Sequence, residues 1–414
     1  MAVVLPFQAV RPKKQYAAVV ASLPYDVMTR EEGKAAVQGN PLSFLHVEKS
    51  EIDVPDGTKS DESIIYEKAK QNFAKLKNDN VLIKDKKPFF YVYKQRMGRQ
   101  EQTGLVGLVS VNEYEVGKIK KHELTRKDKE DDRIRHIQTV NAQTGPVFIA
   151  YRYDDALNRI TEDAKKNAPE YEFSADDGVS HTVWIVQDEV NIEEIKRLFL
   201  SVDALYIADG HHRAAAAAEV AKARRAKENR TKQEFREYNF FMAVLFPENQ
   251  LKVMDYNRAV TDLNKLSKAE YLKAISNKFF IETGFREKSP QRMHDFGMYL
   301  DGIWYRLTPR EGIFDEDDPI DRLDASILQN HLLGPVLGII DPRTDQRVKF
   351  IGGIRGMAEL EKLVQGGEYV VAFSLYPASM EQVMNVADAR KIMPPKSTWF
   401  EPKLRSGIFV HELD

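Results

Sequence analysis

Apolar residues recur along this chain in two rhythms, and their alternation predicts a mixed α+β protein. Runs of strand length occur at residues 89–93, 103–111, 146–151, 181–186, 204–208 and 240–246. The first two flank a basic, glycine-containing turn and read as a hairpin. Helical spacing appears at 64–76, and again at 268–278, 325–333, 357–364 and 379–389, the last opened by Ser379 as a cap. Residues 297–307 read as a second hairpin and 369–375 as a late strand. The charged stretches 222–232 and 315–321 read as solvated surface. The texture changes near residue 260, which divides the chain into a catalytic region, 1–260, and a C-terminal α/β lobe, 261–414.

Composition narrows the function. The chain has 414 residues, 30% of them charged and 43% hydrophobic, with a formal net charge of −2. That balance belongs to a globular protein and gives no general attraction to a nucleic-acid backbone. Cysteine is absent. Disulfides, thiolate zinc sites, iron–sulfur clusters and cysteine nucleophiles are thereby excluded. The opening Met-Ala-Val-Val-Leu-Pro-Phe lacks the pattern of a signal peptide. No apolar run reaches the ~20 residues that span a bilayer. A cytoplasmic protein with no membrane or nucleic-acid partner is expected.

The densest chemistry lies in Asp209-Gly210-His211-His212-Arg213, between an apolar strand and an alanine-rich helix. Asp209 is a suitable N-cap, and Gly210 lets the backbone turn. The helix start would offer unpaired N–H groups, with two imidazoles and a guanidinium beside them, to a phosphate. Adjacent helical residues point about 100° apart, so at most one histidine faces a ligand. A plain Asp-Gly turn is the structural alternative. His122 and Glu123 precede a highly charged segment, and a carboxylate beside a histidine suits a general base. The plain reading of Glu123 is a surface pair with Lys120 or Lys121. Near the N-terminus, Arg11-Pro12 and Leu23-Pro-Tyr-Asp26 suggest a rigid loop wall, with Arg11 toward an anion and Asp26 toward a metal or an amine. Lys396, Ser397, Thr398 and Lys403 form a proline-stiffened group of cations and hydroxyls. P-loop, dinucleotide-binding, zinc-protease and nucleophile-elbow motifs are absent.

The Asp209–Arg213 turn resembles the signature of the ParB/sulfiredoxin-like superfamily, in particular its free-serine-kinase branch. Across nearly the whole chain the pattern resembles domain-of-unknown-function family 1015. That resemblance rests on Arg11-Pro12, Leu23-Pro-Tyr-Asp26, His122-Glu-Leu-Thr125, Asp132-Arg133, Gly145-Pro146, Asp209 to Arg213, Leu323-Asp324, Met393-Pro-Pro-Lys-Ser-Thr398 and Pro402-Lys403. It implies an α+β fold with a ParB/sulfiredoxin-like core, and a kinase acting on a small hydroxyl compound, foremost free L-serine. The phosphate donor would be pyrophosphate, ATP or ADP with Mg2+ at Asp209. Carried over by position, Asp209, His211 and His212 would act at the transferred group and Glu123 as base, with Asp26 or Glu32 as substitutes for that base. Gly210, Arg213, Lys396, Ser397, Thr398 and Lys403 would bind phosphate. Arg11, Asp26, His122, Thr125 and Arg133 would bind the acceptor. A ParB-like nucleotide-dependent DNA-binding protein and a non-catalytic phosphometabolite sensor are the competing readings.

Overall fold

The computed structural model describes residues 2–59, 62–231 and 235–414. The chain divides into two units, one reaching to Leu251 and rejoined by Pro402–Asp414, the other formed by Lys252–Glu401. Relative to the division expected at residue 260, residues 252–260 belong with the second unit. The last thirteen residues belong with the first. Both units mix helices with largely antiparallel sheets, as the two sequence rhythms require.

In the first unit nine strands form one sheet. Its order is Ile119–Lys120, Leu205–Asp209, Val147–Tyr151, Phe240–Pro247, Gln100–Ser110, Phe90–Met97, Ser180–Val186 and Tyr171–Ser174, with Val4–Leu5 also pairing on Gln100–Ser110. The hairpin at its centre is longer than its apolar residues alone suggest. Gln95 and Gln102 extend it because each side chain is buried and they hydrogen-bond one another at 3.0 Å. The helix His211–Glu228 lies on this sheet through Ala214–Ala218, Val220 and Ala221. Small side chains let a helix axis approach closely, and here they bring the first helical turn down to the strand ends. Arg225, in the run expected to be solvated, is buried against Glu115 at 2.6 Å; Lys232 of that run lies outside the described residues.

The C-terminal segment is stitched into the same unit. His411–Glu412 pairs with Ala142–Gln143, and Val10 and Val410 exchange main-chain hydrogen bonds of 2.9 and 2.8 Å. Ile408, Phe409 and Val410 are wholly buried. Apolar burial of this kind stabilises by roughly 25 cal/mol per Å2, so the segment is part of the core.

The second unit has a six-stranded antiparallel sheet. Its order is Phe279–Thr283, Ile303–Pro309, Phe296–Leu300, Val371–Leu375, Tyr256–Val260 and Val348–Gly352. Helices Lys268–Ser276, Asp324–Leu328, Gly356–Gln365 and Met380–Asp388 accompany it. Ser379 caps the last of these in a capping box with Gln382, as its position predicts. Among the described residues no helix is long and apolar enough to cross a membrane.

Candidate functional site

The strand Leu205–Asp209 carries a bulge: its register against Val147–Tyr151 slips between Ile207 and Asp209. Bulges re-aim the side chain that follows. Here the side chain is Asp209, at the strand end. Gly210 then takes φ +87°, a left-handed value that a residue with a Cβ adopts only with strain. The helix starts at His211 with Gly210 in the cap position, so Asp209 is not the N-cap expected from sequence. Its Oδ1 instead accepts from the Gly210 N–H at 2.8 Å, and its Oδ2 accepts from Lys403 Nζ at 2.8 Å. Desolvation favours the neutral acid, but Lys403 and the Gly210 N–H outweigh it and hold the carboxyl at about 2. Asp209 is therefore ionised at any physiological pH. It lines a small pocket of about 40 Å3 together with Asp26, Gly210, Arg213, Lys403 and Ser406.

The three residues after Gly210 point in different directions, because successive helical side chains are rotated by about 100°. His211 turns inward and meets His122 edge-on, ring centroids 4.7 Å apart. Its Nδ1 lies 4.0 Å from Glu123 Oε2, and its Nε2 is buried with no hydrogen-bond partner among the described residues. Burial holds both imidazoles neutral: His122 is lowered to about 4 and His211 falls well below the usual range. His212 accepts from the Arg126 N–H at 3.0 Å. Thr125 donates to Glu130 at 2.9 Å.

Arg213 departs most from expectation. Its guanidinium pairs with Glu48, at 2.8 Å through Nη2 and 3.4 Å through Nη1. Glu48 closes the short helix Leu45–Glu48, is 1% exposed, and also accepts from the Thr144 hydroxyl. Burial pushes its carboxyl up; Arg213 and then Arg133 reverse this and bring it to about 2. Arg133 is buried too, 2.7 Å from Asp132 and with its guanidinium carbon 3.8 Å from the centre of the Tyr25 ring. Gly145 makes room for this cluster. A Cβ there would lie 2.5 Å from Arg213 Nη1. Outside the cluster opens a cleft of about 460 Å3 lined by Tyr25, Asp26, Glu48, Tyr66, Asp132 and Arg133. Asp26 lines both this cleft and the pocket at Asp209. Glu48 carries no motif and sequence reading missed it, while Tyr25 stood in the Leu23-Pro-Tyr-Asp26 stretch without a role of its own.

Four expected site residues are committed elsewhere. Arg11 is buried and bonded to Asp85 at 2.8 Å, Glu170 at 2.7 Å and the Tyr171 hydroxyl at 2.8 Å. It therefore holds the fold, its charge already met by two carboxylates. Glu32 closes a capping box with Thr29 at the start of Arg30–Ala36, which removes it as a base candidate. Lys396 and Ser397 lie in the second unit. There Lys396 Nζ sits 5.6 Å from the centre of the Tyr256 ring, and Ser397 donates to the Pro394 carbonyl at 2.7 Å. Thr398 belongs to the same unit, whereas Lys403 belongs to the first. Among the described residues no group of three or more His, Asp or Glu side chains is gathered for a metal ion.

Two outcomes follow from these burials. Glu48→Gln should cost about 3–5 kcal/mol in denaturant unfolding, because it strips two buried guanidiniums of their shared charge partner. Lys403→Ala, at a partly exposed pair, should cost under about 1 kcal/mol. A Glu48→Gln loss as small as that of Lys403→Ala would show the cluster to be water-filled. Stability should also rise between about pH 4 and 6.5 and then level off. His122 and His136, both lowered to about 4, and His211 bind protons in the unfolded chain in that range but not in the folded one. His46, raised by Asp53, opposes them singly. Equal melting temperatures at pH 5 and 7 would contradict neutral burial.

Comparison with known proteins adds a family and little else. Among solved structures, a free serine kinase variant in complex with AMP is similar at a TM-score of 0.36 and 13% identity, over 71% of this chain and 87% of that one. A conserved hypothetical protein from Pyrococcus furiosus gives 0.36 and 13%, over 73% and 93%. SbnI from Staphylococcus aureus, truncated at its C-terminus, gives 0.35 and 11%, over 72% and 82%. Likeness this distant is silent on chemistry. No curated protein sequence matches. Residues 4–326 match the family described as protein of unknown function DUF1015, and the chain belongs to that family.

Proposed function

We propose that this protein is a small-molecule kinase with a ParB/sulfiredoxin-like core, moving a phosphoryl group from a nucleotide or pyrophosphate to a metabolite hydroxyl. Free L-serine, giving O-phosphoserine in the cytoplasm, is the first acceptor to test. One observation carries the reading. Asp26 lines both the cleft beside Tyr25 and Arg133 and the pocket where Lys403 meets Asp209 at a helix mouth. A donor phosphate suits the second place, where the N–H groups of His211 and His212 open the helix and Lys403 supplies a cation. An acceptor suits the first. The two meet at a carboxylate.

In this reading Asp26 takes the proton from the acceptor hydroxyl as its oxygen forms the new bond to phosphorus. The bond to the donor's bridging oxygen breaks, and the leaving phosphate carries off the electron pair. Lys403 and the helix N-terminus stabilise the charge spreading over the transferred group. Glu123 and His211 border the same turn; Glu123 is then a positioning residue, and the base role moves to Asp26. Arg213 and Glu48 act indirectly, by fixing the first turn of the helix. Ionised Asp209, with Asp26 in the same pocket, fits the one or two carboxylates by which Mg2+ is held beside substrate phosphates. Bound there, Mg2+ would neutralise donor charge.

Purified protein with Mg2+, L-serine and, separately, ATP, ADP or pyrophosphate should yield phosphoserine by phosphorus NMR with one of the donors. Asp26→Asn should lower turnover roughly 10²–10⁴-fold, and Lys403→Ala roughly 10²–10³-fold. Glu32→Gln should leave it unchanged. No product with any donor removes the kinase reading, and full activity in Asp26→Asn removes the base assignment.

A further inference from the structure

Among the described residues five arginines are almost wholly buried, and four of them face a carboxylate: Arg11 with Asp85, Arg133 with Asp132, Arg225 with Glu115 and Arg405 with Asp177. The fifth does not. Arg258, 3% exposed, sits in the Tyr256–Val260 strand between two neighbouring strands of the second unit's sheet. Its guanidinium donates to the main-chain carbonyls of Tyr256 and Lys396, the latter at 3.0 Å, and lies 5.2 Å from the centre of the Phe350 ring. Carbonyls and a ring face satisfy some of its five N–H groups. They do not cancel the charge, and an uncompensated buried cation is costly. Burial accordingly pulls Arg258 down to about 10, against the upward direction of Arg11 and Arg133.

Arg258 also borders open space. It lines a cavity of about 20 Å3 with Tyr256, Asp324, Gln382 and Ser397. A cavity of about 10–15 Å3 already holds one water, so there is room here for one compact polar group. Ser397 and Gln382 add a hydroxyl and an amide to the wall. The acid on the wall, Asp324, already accepts from the His294 N–H through both oxygens, at 3.0 and 3.2 Å. Burial shifts it toward its neutral form. The cavity thus offers a positive fork and neutral polar groups among apolar neighbours such as Leu323 and Met393, with Asp324 engaged by His294.

We infer that this cavity in the second unit is a binding site for a small oxyanion, the phosphate or carboxylate end of a metabolite, with Arg258 as its charge partner. The inference goes beyond the proposed kinase chemistry, which uses residues of the first unit alone. A planar guanidinium fork suits either oxyanion by paired hydrogen bonds. Lys396, whose carbonyl anchors Arg258, ties the proline-stiffened loop to the site.

The test is binding, in full-length protein carrying Lys403→Ala to disable the pocket of the first unit. Melting temperature is followed against inorganic phosphate and, separately, acetate, with ionic strength matched by chloride. A saturable rise with phosphate but not acetate assigns the site to a phosphate group, and the converse to a carboxylate. Adding Arg258→Met should weaken the apparent affinity at least tenfold, while raising the melting temperature in the absence of anion. Should Arg258→Met fail to fold, Arg258→Lys should bind with about tenfold lower affinity, because it keeps the charge and loses the fork. No saturable response to either anion, or a response untouched by replacing Arg258, overturns the site. Either result is independent of whether phosphoserine is formed.

Discussion

The pair between Glu48 and Arg213 sets the geometry around which the rest of the first unit is arranged. Two charges taken out of water persist only when each meets the other with good hydrogen-bond geometry. Meeting that demand fixes the short helix Leu45–Glu48 against the first turn of His211–Glu228, 165 residues further along the chain. It requires Gly145 to be bare, because any Cβ would occupy the guanidinium's place. It also recruits Arg133, and through Arg133 the ring of Tyr25 and the carboxylate of Asp132. The wall of the larger cleft is the outer surface of this cluster. The alanines of His211–Glu228 complete the arrangement by letting the helix lie low on the sheet, so that its mouth opens at the bulged end of Leu205–Asp209.

Much of the strand-and-helix layout was legible, because its apolar rhythm is strong. The hairpin Phe90–Met97 and Gln100–Ser110, the strand before Asp209 and the capped helix Met380–Asp388 all stand where that rhythm puts them. The helix Lys127–Val140 was not legible. Its buried residues are Arg133, His136, Ile137 and Val140, a helical spacing of three, four and seven. Two of those four are polar, since this face looks into the charge cluster, and a filter for apolar residues passes over it.

The candidate site divides the same way. Asp209, Gly210 and Lys403 were readable because a strand end, a glycine and a lysine in a stiff loop are local signals. The separate fates of His211, His212 and Arg213 were not, since they depend on what lies around each direction of the helical turn. Arg11 looked like an anion ligand because it is a cation beside a proline. Its partners, Asp85, Glu170 and Tyr171, lie 74 to 160 residues away. Sequence reading names residue types reliably, and partners only where they are close along the chain.

The return of Pro402–Asp414 to the first unit has a temporal consequence. Lys403 reaches Asp209 across 194 residues of intervening chain. Synthesis runs from the N-terminus, and early segments start to fold while later ones are still being made. The helix mouth and the Glu48 cluster draw on residues up to Glu228, and the sheet beneath them on residues up to Pro247. The lysine that faces Asp209 is added only 194 residues after it. Until that lysine is added, a growing chain carries Asp209 without the cation that pairs with it.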